Sequence, residues 1–384
     1  MVKDMGVVCS GQKNMRVLFL APEVFYSPGG IQTYNQQLVN ALRDLGYNLK
    51  VVSLNDAVRF SLKGYFFVGA GRFKFLKKIL FILYALKETI FFKPVLIISA
   101  HINFSLCCAF INRFFKIPFF TVIYGIELEK TKWLNKLAVK SAKKIISISN
   151  FTKEKFLALF PPVKREDVFI IYPFVDVNKF RPHTKDLSLL QRLGLAPSDK
   201  IILTVARLSK EEKYKGYDRV ILAISGIIEE LPQIRYIIGG GGDKEEIERI
   251  KVLVKEKGLK QKVILTGFIP AQELVNYYNL CDCFVMPSER EGFGMVFLEA
   301  LACGKPVIAG NKDGSQEALK AGKLGLLVDP KDIFQLRQAI TSIFKKEIDN
   351  RLLDGDFLRK AVVENFSREC FYKKVKELLE GMSN

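Results

Sequence analysis

Short apolar segments rich in β-branched residues alternate with helix-length stretches along this chain, and the alternation happens twice. In the first half, Arg16–Ala21 reads as a strand, the loop PEVFYSPGG follows, and a helix spans residues 32–45 up to a stop at Gly46. LKVVSL, residues 95–100, Phe119–Ile123 and residues 144–148 are the next strands. Runs that are apolar on both faces and lie between helices predict parallel strands covered on both sides, a doubly wound α/β sheet. The segment IYPFVDVNKFRPHTKD, with Pro173 and Pro182, breaks the pattern and puts a linker near 175–190. Strands are then expected at 201–205, 235–238, 263–266, Cys283–Met286 and 306–309. A chain of 384 residues exceeds one ordinary core and fits two such domains, 15–180 and 181–366. Sheets of this kind take ligand at the carboxyl ends of their strands, which predicts a central cleft between two facing domains. Residues 1–14 are expected to be a loose extension or the product of an early start codon.

Composition narrows the class. Hydrophobic residues make up 49% and charged residues 26%, as in a folded soluble protein. The longest apolar run, near 81–86, is bounded by Lys78 and Lys87, so no membrane-spanning helix is expected. The first residues lack the apolar core of a secretory signal. Seven cysteines form no C-x-x-C pair, and Cys281 and Cys283 are remote from both histidines. Neither zinc nor a disulfide framework is expected, and the thiols read as reduced and cytoplasmic. Net charge is +19 and lopsided: residues 1–180 carry 26 Lys/Arg against 11 Asp/Glu, the remainder 33 against 29. A basic half attracts phosphate-rich partners, nucleic acid or an anionic membrane. No zinc-finger spacing, RNA-recognition signature or basic heptad run accompanies it, so nucleic acid is not expected. Residues 72–94, RFKFLKKILFILYALKETIFFKP, mix Lys74, Lys77 and Lys78 with aromatic and aliphatic residues, as a membrane-surface helix does. A buried helix with solvated lysines fits the same string.

Chemistry concentrates in a few stretches. MPSEREGFGMVFLEALACGKPVIAG, residues 286–310, runs strand, loop, helix and strand. Gly292 and Gly294 let backbone approach a ligand beside free helix-start N–H groups. Glu299 lies in a helix apolar nearly all round, where a carboxylate needs a hydrogen-bond partner or a polar ligand such as ribose hydroxyls. Glu291 sits at the positive end of that helix. In TVARLSKEEKYKGYD, a strand delivers Arg207 and Lys215 to its carboxyl edge, where two cations suit a diphosphate, or form a solvated basic loop. Lys213 competes with Lys215 for that role. IIGGGGDKEEIERI reads as a tight strand-to-helix turn around Gly240, not a P-loop. Gly29 and Gly30 immediately precede a helix, and His101 follows the strand VLIISA. Asp313-Gly314-Ser315 reads as a turn, with Ser315 as helix cap.

E-G-F-G-x-x-x-x-E followed by A-x-G-x-P-V resembles the signature of retaining group 1 glycosyltransferases, glycosyltransferase family four, of the GT-B fold. The resemblance extends over most of residues 15–380 and is stronger in the C-terminal half. It implies two Rossmann-like domains facing a central cleft, with a C-terminal helix at about 367–382 returning to the N-terminal domain. By the same resemblance Glu291 touches the transferred sugar, Glu299 holds the ribose, and Arg207 and Lys215 bind the diphosphate. Gly240, Phe268, Ile269, Gly292, Phe293, Gly294 and Met295 line the donor, Phe268 and Ile269 beside the base. Gly29 and Gly30 lie across from the diphosphate, and His101 lies near the reacting sugar. The family's H-G-x-[DE] element stands here as YGIE, with Tyr124 in place of the histidine and Glu127 kept.

The implied reaction moves a sugar from a UDP- or GDP-sugar to a glycan or lipid-linked acceptor with retention, in cell-envelope polysaccharide or glycolipid synthesis. It would run in the cytoplasm, at the inner membrane face. Charge growing on the leaving diphosphate must be stabilised, and Arg207 and Lys215 do so without metal. Asp354-Gly355-Asp356 matches the metal-binding D-x-D string but lies far from every other motif, so neither metal nor cofactor is expected. An epimerase of the same architecture is the alternative, and EGFG…E argues against it.

Overall fold

The computed structural model describes residues 15–25, 29–56, 65–67 and 74–381, with 65–67 and 74–75 described by their backbone. The expected extension 1–14, Ser27 and Pro28 of the first glycine loop, and Arg72 and Phe73 lie outside the described residues. Two compact units result. One runs to Pro173 and takes in the chain again from Phe371; the other is Phe174–Cys370.

In the first unit, β1 (Arg16–Ala21), β2 (Asn48–Ser53), β3 (Tyr65–Phe67), β4 (Leu96–Ser99), β5 (Phe119–Ile123), β6 (Lys144–Ser147) and β7 (Val168–Ile170) pair in parallel. Their order, β3-β2-β1-β4-β5-β6-β7, reverses direction between β1 and β4, the point where such sheets bind ligands. The helices are α1 (Gly30–Asp44), α2 (Lys74–Phe92), α3 (Ser105–Phe115), α4 (Trp133–Val139) and α5 (Asn150–Leu159). Leu18, Leu20, Ile97 and Phe119 of the sheet pack with Phe81 and Ala85 of α2 and Cys108 and Ile111 of α3. Gly46, at φ +86°, ends α1 in the left-handed conformation that glycine adopts without strain.

In the second unit, β8 (Lys200–Val205), β9 (Ile234–Gly239), β10 (Val263–Gly267), β11 (Cys283–Met286), β12 (Val307–Gly310) and β13 (Leu326–Val328) form a parallel sheet ordered β10-β9-β8-β11-β12-β13, reversing between β8 and β11. Around it lie α6 (Leu187–Arg192), α7 (Tyr217–Ser225), α8 (Lys244–Glu256), α9 (Leu274–Leu280), α10 (Met295–Ala302), α11 (Ser315–Ala318), α12 (Ile333–Lys345) and α13 (Gly355–Phe366). The core joins Ile202, Tyr236 and Val285 of the sheet to Val220 and Ile224 of α7 and Leu336 and Ile340 of α12. Asp354 caps α13, accepting from the N–H groups of Asp356 (3.0 Å) and Phe357 (3.2 Å), so its carboxylate has a structural task. α14 (Arg368–Glu380) carries the chain into the first unit, where the Phe371 ring meets Tyr34 edge-on at 5.7 Å and the Tyr372 hydroxyl donates to Asp44 (2.8 Å). No helix among the described residues is long and apolar enough to cross a membrane.

Candidate active site

The carboxyl edge of the second sheet is built by loops that lie unusually close together. Past the end of β8, Ala206 and Leu208 donate to the carbonyls of Gly239 and Gly241, both at 2.9 Å. A Cβ on Gly240 would fall 1.9 Å from the Ala206 carbonyl oxygen, and Gly240 also has φ +141°. The glycine run is therefore required by this loop-to-loop contact, independently of any ligand. Gly216 (φ +77°) does the same in the neighbouring loop, where a Cβ would lie 2.5 Å from the Pro287 carbonyl oxygen. With the Glu289 N–H bonded to the Tyr214 carbonyl (3.0 Å), the loop carrying Lys215 rests on the loop after β11.

That seating brings Lys215 and Glu291 into an ion pair whose side chains are only 16% and 13% exposed. Glu212 lies 3.9 Å from the Lys215 ammonium and also pairs with Arg207, so alternating charges run Arg207, Glu212, Lys215, Glu291. Burial disfavours the Lys215 ammonium, but Glu291, Tyr214 and Glu212 outweigh it and raise its pKa, so it stays charged across the neutral range. Lys213 points elsewhere, 3.4 Å from Glu246, a carboxylate that Arg249 and the Tyr217 hydroxyl also hold. Of the two candidate lysines, the structure brings Lys215 to the glutamate.

Asp313, buried after β12, fixes the Glu291 loop. Its Oδ2 accepts from the Glu291 N–H (2.7 Å) and the Ser288 hydroxyl (2.8 Å), and its Oδ1 from the Ser315 N–H (3.0 Å). The Gly314 N–H returns a bond to the Glu291 carbonyl (2.8 Å). Burial pushes the Asp313 carboxyl up to about 6, against the pull of the Ser315 and Glu291 bonds. The expectation that Ser315 caps the next helix is corrected: Gly314 holds the cap position, and the Ser315 hydroxyl faces that of Ser288 at 3.1 Å.

Gly294, at φ +91°, turns the chain into α10, with Phe293 buried against Phe366 and Met295 half-buried in the first turn. Gly292 is buried in the loop before it. Glu299 finds its partner in the Tyr278 hydroxyl, which donates to it at 2.6 Å. Burial pushes the Glu299 carboxyl up to about 7, with the Tyr278 bond opposing. Phe268 is exposed after β10, while Ile269 is buried against Gly239.

In the first unit, α1 starts after Gly29 with no side-chain cap, and Gly30 is its first residue. Asp56 holds the preceding loop, accepting from the Val24 and Phe25 N–H groups at 2.8 Å. His101 follows β4, next to β1 in the sheet. Its Nδ1 accepts from the Asn103 N–H (3.1 Å), which leaves the proton of the neutral ring on Nε2, and burial lowers its pKa to about 4. Tyr124 is buried; its hydroxyl donates to Asn35 of α1 (2.6 Å) with the Ala100 carbonyl 3.1 Å away, and its ring lies 6.3 Å from that of His101. Glu127 Oε1 accepts from the Tyr124 N–H (2.6 Å), and burial raises its pKa.

Each expected site residue thus lies beyond the carboxyl end of a strand in its own sheet. Sequence reasoning placed Asp313 only in a turn and gave no site role to Asp313, Tyr278, Glu212 or Asn35. Asp-Gly-Ser was the only signal for Asp313, and Tyr278 had none.

Comparison with known proteins fits this geometry. Residues 188–354 match the family described as Glycosyl transferases group 1, and residues 28–179 match Glycosyltransferase Family 4. A GDP-mannose-dependent alpha-(1-6)-phosphatidylinositol monomannoside mannosyltransferase of Mycobacterium tuberculosis is 30% identical over 244 residues, 61% of this chain and 60% of that protein. A D-inositol 3-phosphate glycosyltransferase of Corynebacterium urealyticum is 33% identical over 220 residues, 56% of this chain and 50% of that one. The matches thus span three fifths or less of these relatives' own length. Among solved structures, Anabaena Alr3699/HepE in complex with UDP superposes with a TM-score of 0.80 at 20% identity, covering 96% of this chain and all of that one. Sucrose-phosphate synthase from Thermosynechococcus elongatus gives 0.79 at 22% identity, covering 96% and 99%. Residues 188–354 thus belong with the group 1 glycosyl transferases and residues 28–179 with Glycosyltransferase Family 4, and the fold shared along nearly the whole length is GT-B.

Proposed function

We propose that the chain is a retaining, metal-independent hexosyltransferase that takes a sugar from a UDP- or GDP-sugar. The acceptor is a glycan or lipid-linked glycan of cell-envelope polysaccharide or glycolipid synthesis, met at the inner face of the membrane. The observation that carries the reading is the buried Lys215–Glu291 pair at the carboxyl edge of the second sheet, with Arg207 reached through Glu212.

A departing nucleoside diphosphate gains negative charge, and cations held in place before the reaction stabilise it most. Lys215 is such a cation, charged at neutral pH and held by the Gly216 contact. Arg207, largely exposed, adds a planar donor for the outer phosphate oxygens. Glu291 is positioned through its backbone by Asp313 and addresses the sugar hydroxyls. Glu299 takes the ribose hydroxyls, with Tyr278 orienting its carboxyl. His101, neutral with its proton on Nε2, offers a hydrogen bond and not a positive charge to the sugar. Relatives named for GDP-mannose and a structural neighbour bound to UDP support the donor class.

The test is a panel of UDP-, GDP- and ADP-sugars, scored by thermal shift and by release of free nucleoside diphosphate. Stabilisation and turnover with one UDP- or GDP-sugar are expected, with the anomeric configuration kept in the product. Silence across the panel overturns the reading.

A further inference from the structure

Three helices packed along the first sheet, α2, α3 and α4, leave apolar side chains outside as well as inside. α3 buries Ser105, Cys108 and Ile111 and exposes Leu106, Phe110 and Phe114, spaced four residues apart. The Phe110 and Phe114 rings lie 4.5 Å apart, and Phe114 is 65% exposed. α4 buries Asn135, Ala138 and Val139 and exposes Trp133 (67%), Leu134 and Leu137. Between α3 and α4 runs an open groove of about 620 Å³, apolar along its floor, with Arg113 on its lining. α2, which packs on α3 through Phe81 and Ala85 and stacks Phe81 on Phe104 just before α3, continues the pattern with Ile79, Ile82 and Leu83 exposed. A patch of this extent marks a contact surface.

Charge identifies the occupant. Residues 74–145 hold 13 Lys/Arg and 3 Asp/Glu. All three acids are engaged: Glu88 is buried with Lys50, Glu127 has its carboxyl buried, and Glu129 pairs with Lys155. Arg113 on the groove, and Lys116, Lys132 and Lys140 at the ends of α3 and α4, are exposed and make no ion pair among the described residues. Two copies of this face would set these cations against each other, whereas an anionic bilayer complements both the charge and the apolar side chains.

We propose that α2, α3 and α4 form a docking face for an anionic lipid bilayer, with Phe110, Phe114 and Trp133 entering the headgroup boundary and Arg113, Lys116, Lys132 and Lys140 meeting lipid phosphates. The proposal rests on the reading of the acceptor as lipid-linked and assigns the surface that meets it. It moves the contact from the 72–94 segment alone to a face centred on the α3–α4 groove. Because α3 begins four residues after His101, the same face ends beside the carboxyl edge of β4.

Trp133 is the only tryptophan of the chain, so intrinsic fluorescence reads this face directly. The full chain is titrated with vesicles of phosphatidylcholine alone and of phosphatidylcholine with phosphatidylglycerol, at low and high salt, and co-sedimentation is followed in parallel. A blue shift and sedimentation with the anionic vesicles, weakened by salt, are expected. F110S/F114S and, separately, R113E/K116E should each lower the apparent vesicle affinity about tenfold or more. Both variants change exposed positions, and both should keep the thermal shift given by the donor sugar. Loss of donor binding in the unaltered chain would count against the transferase reading and not against the docking face. Absence of binding to anionic vesicles at low salt overturns the proposal. So does a blue shift without vesicles that grows with protein concentration, the mark of a second copy on this face, or full vesicle binding by both variants.

Discussion

The two units share one sheet topology and use its carboxyl edge differently. In the second unit the edge is charged and internally paired: Arg207, Glu212, Lys215 and Glu291 alternate in sign, and Asp313 fastens the loop beneath them. In the first unit the corresponding edge carries a neutral His101 beside the buried Tyr124 and Asn35, while the cations lie on the outer helices. One fold thus supports an edge of alternating, paired charges in one copy and, in the other, an edge led by a neutral histidine with a basic, apolar flank. Function follows from what the loops carry, not from the topology.

The largest effect expected is on the charged edge. Lys215→Ala should lower kcat on the order of 10²–10³-fold, the usual loss when one preorganised contact to developing charge is removed. His101→Ala, on the neutral edge, should cost about tenfold, since only a neutral hydrogen bond is lost. Steady-state kinetics on both variants test the contrast. Equal losses would mean that the two edges share the electrostatic work, and wild-type kinetics for Lys215→Ala would remove it from the site.

Next comes the ribose contact proposed for Glu299. Glu299→Ala should weaken donor affinity about tenfold or more, as expected when a charge-assisted bond is lost. The unaltered protein adds a pH signature. Glu299 is pushed up to about 7, so its ionised, accepting form grows as pH rises through that value, and donor affinity should improve over the same range. The raised pKa has the opposite sign for folding: its stabilising contribution is present at low pH and lost as pH climbs from the ordinary carboxylate range through about 7. Tyr278→Phe removes the bond that favours the ionised form, so the binding inflection should move to higher pH. Calorimetric titrations at several pH values check this, and an unmoved inflection would detach Tyr278 from Glu299.

Asp313 shows what motif reading reaches and where it stops. The EGFG…E string points to Glu291 and Glu299 because their spacing and glycines are local. Asp313 acts on Glu291 from 22 residues away through a backbone bond, and no local pattern encodes that. Tyr278 reaches Glu299 from another helix in the same way. The core strands were legible as continuous apolar runs, whereas β3, β7 and β13, three residues each at or near the sheet edges, fall below the length at which periodicity speaks. On the first unit's flank, SLCCAFINRFF is apolar on nearly every side, with Ser105 buried and Phe110 and Phe114 exposed, so the sequence does not say which face of α3 the core takes. Asp313→Ala should leave three donors without their acceptor, costing about 1–3 kcal/mol of stability and roughly tenfold in kcat. A lowered melting temperature with normal kcat would reduce Asp313 to a structural residue.

The smallest effect expected is none. Chelation by EDTA should leave the transfer rate unchanged if, as proposed, Lys215 and Arg207 supply the charge a divalent ion would bring to the leaving diphosphate. The only D-x-D string in the chain is committed otherwise: Asp354 accepts two backbone N–H bonds at the start of α13. Assays of nucleoside diphosphate release with and without EDTA, on the unaltered chain and on Lys215→Ala, make the comparison complete. If the variant alone gained activity from added magnesium, the ion would be substituting for the missing ammonium, and Lys215 would be confirmed as the built-in cation. If the unaltered chain lost its activity with EDTA and regained it with manganese or magnesium, the second unit's charged edge would not be self-sufficient, and its contrast with the neutral edge of the first unit would have to be redrawn around a metal.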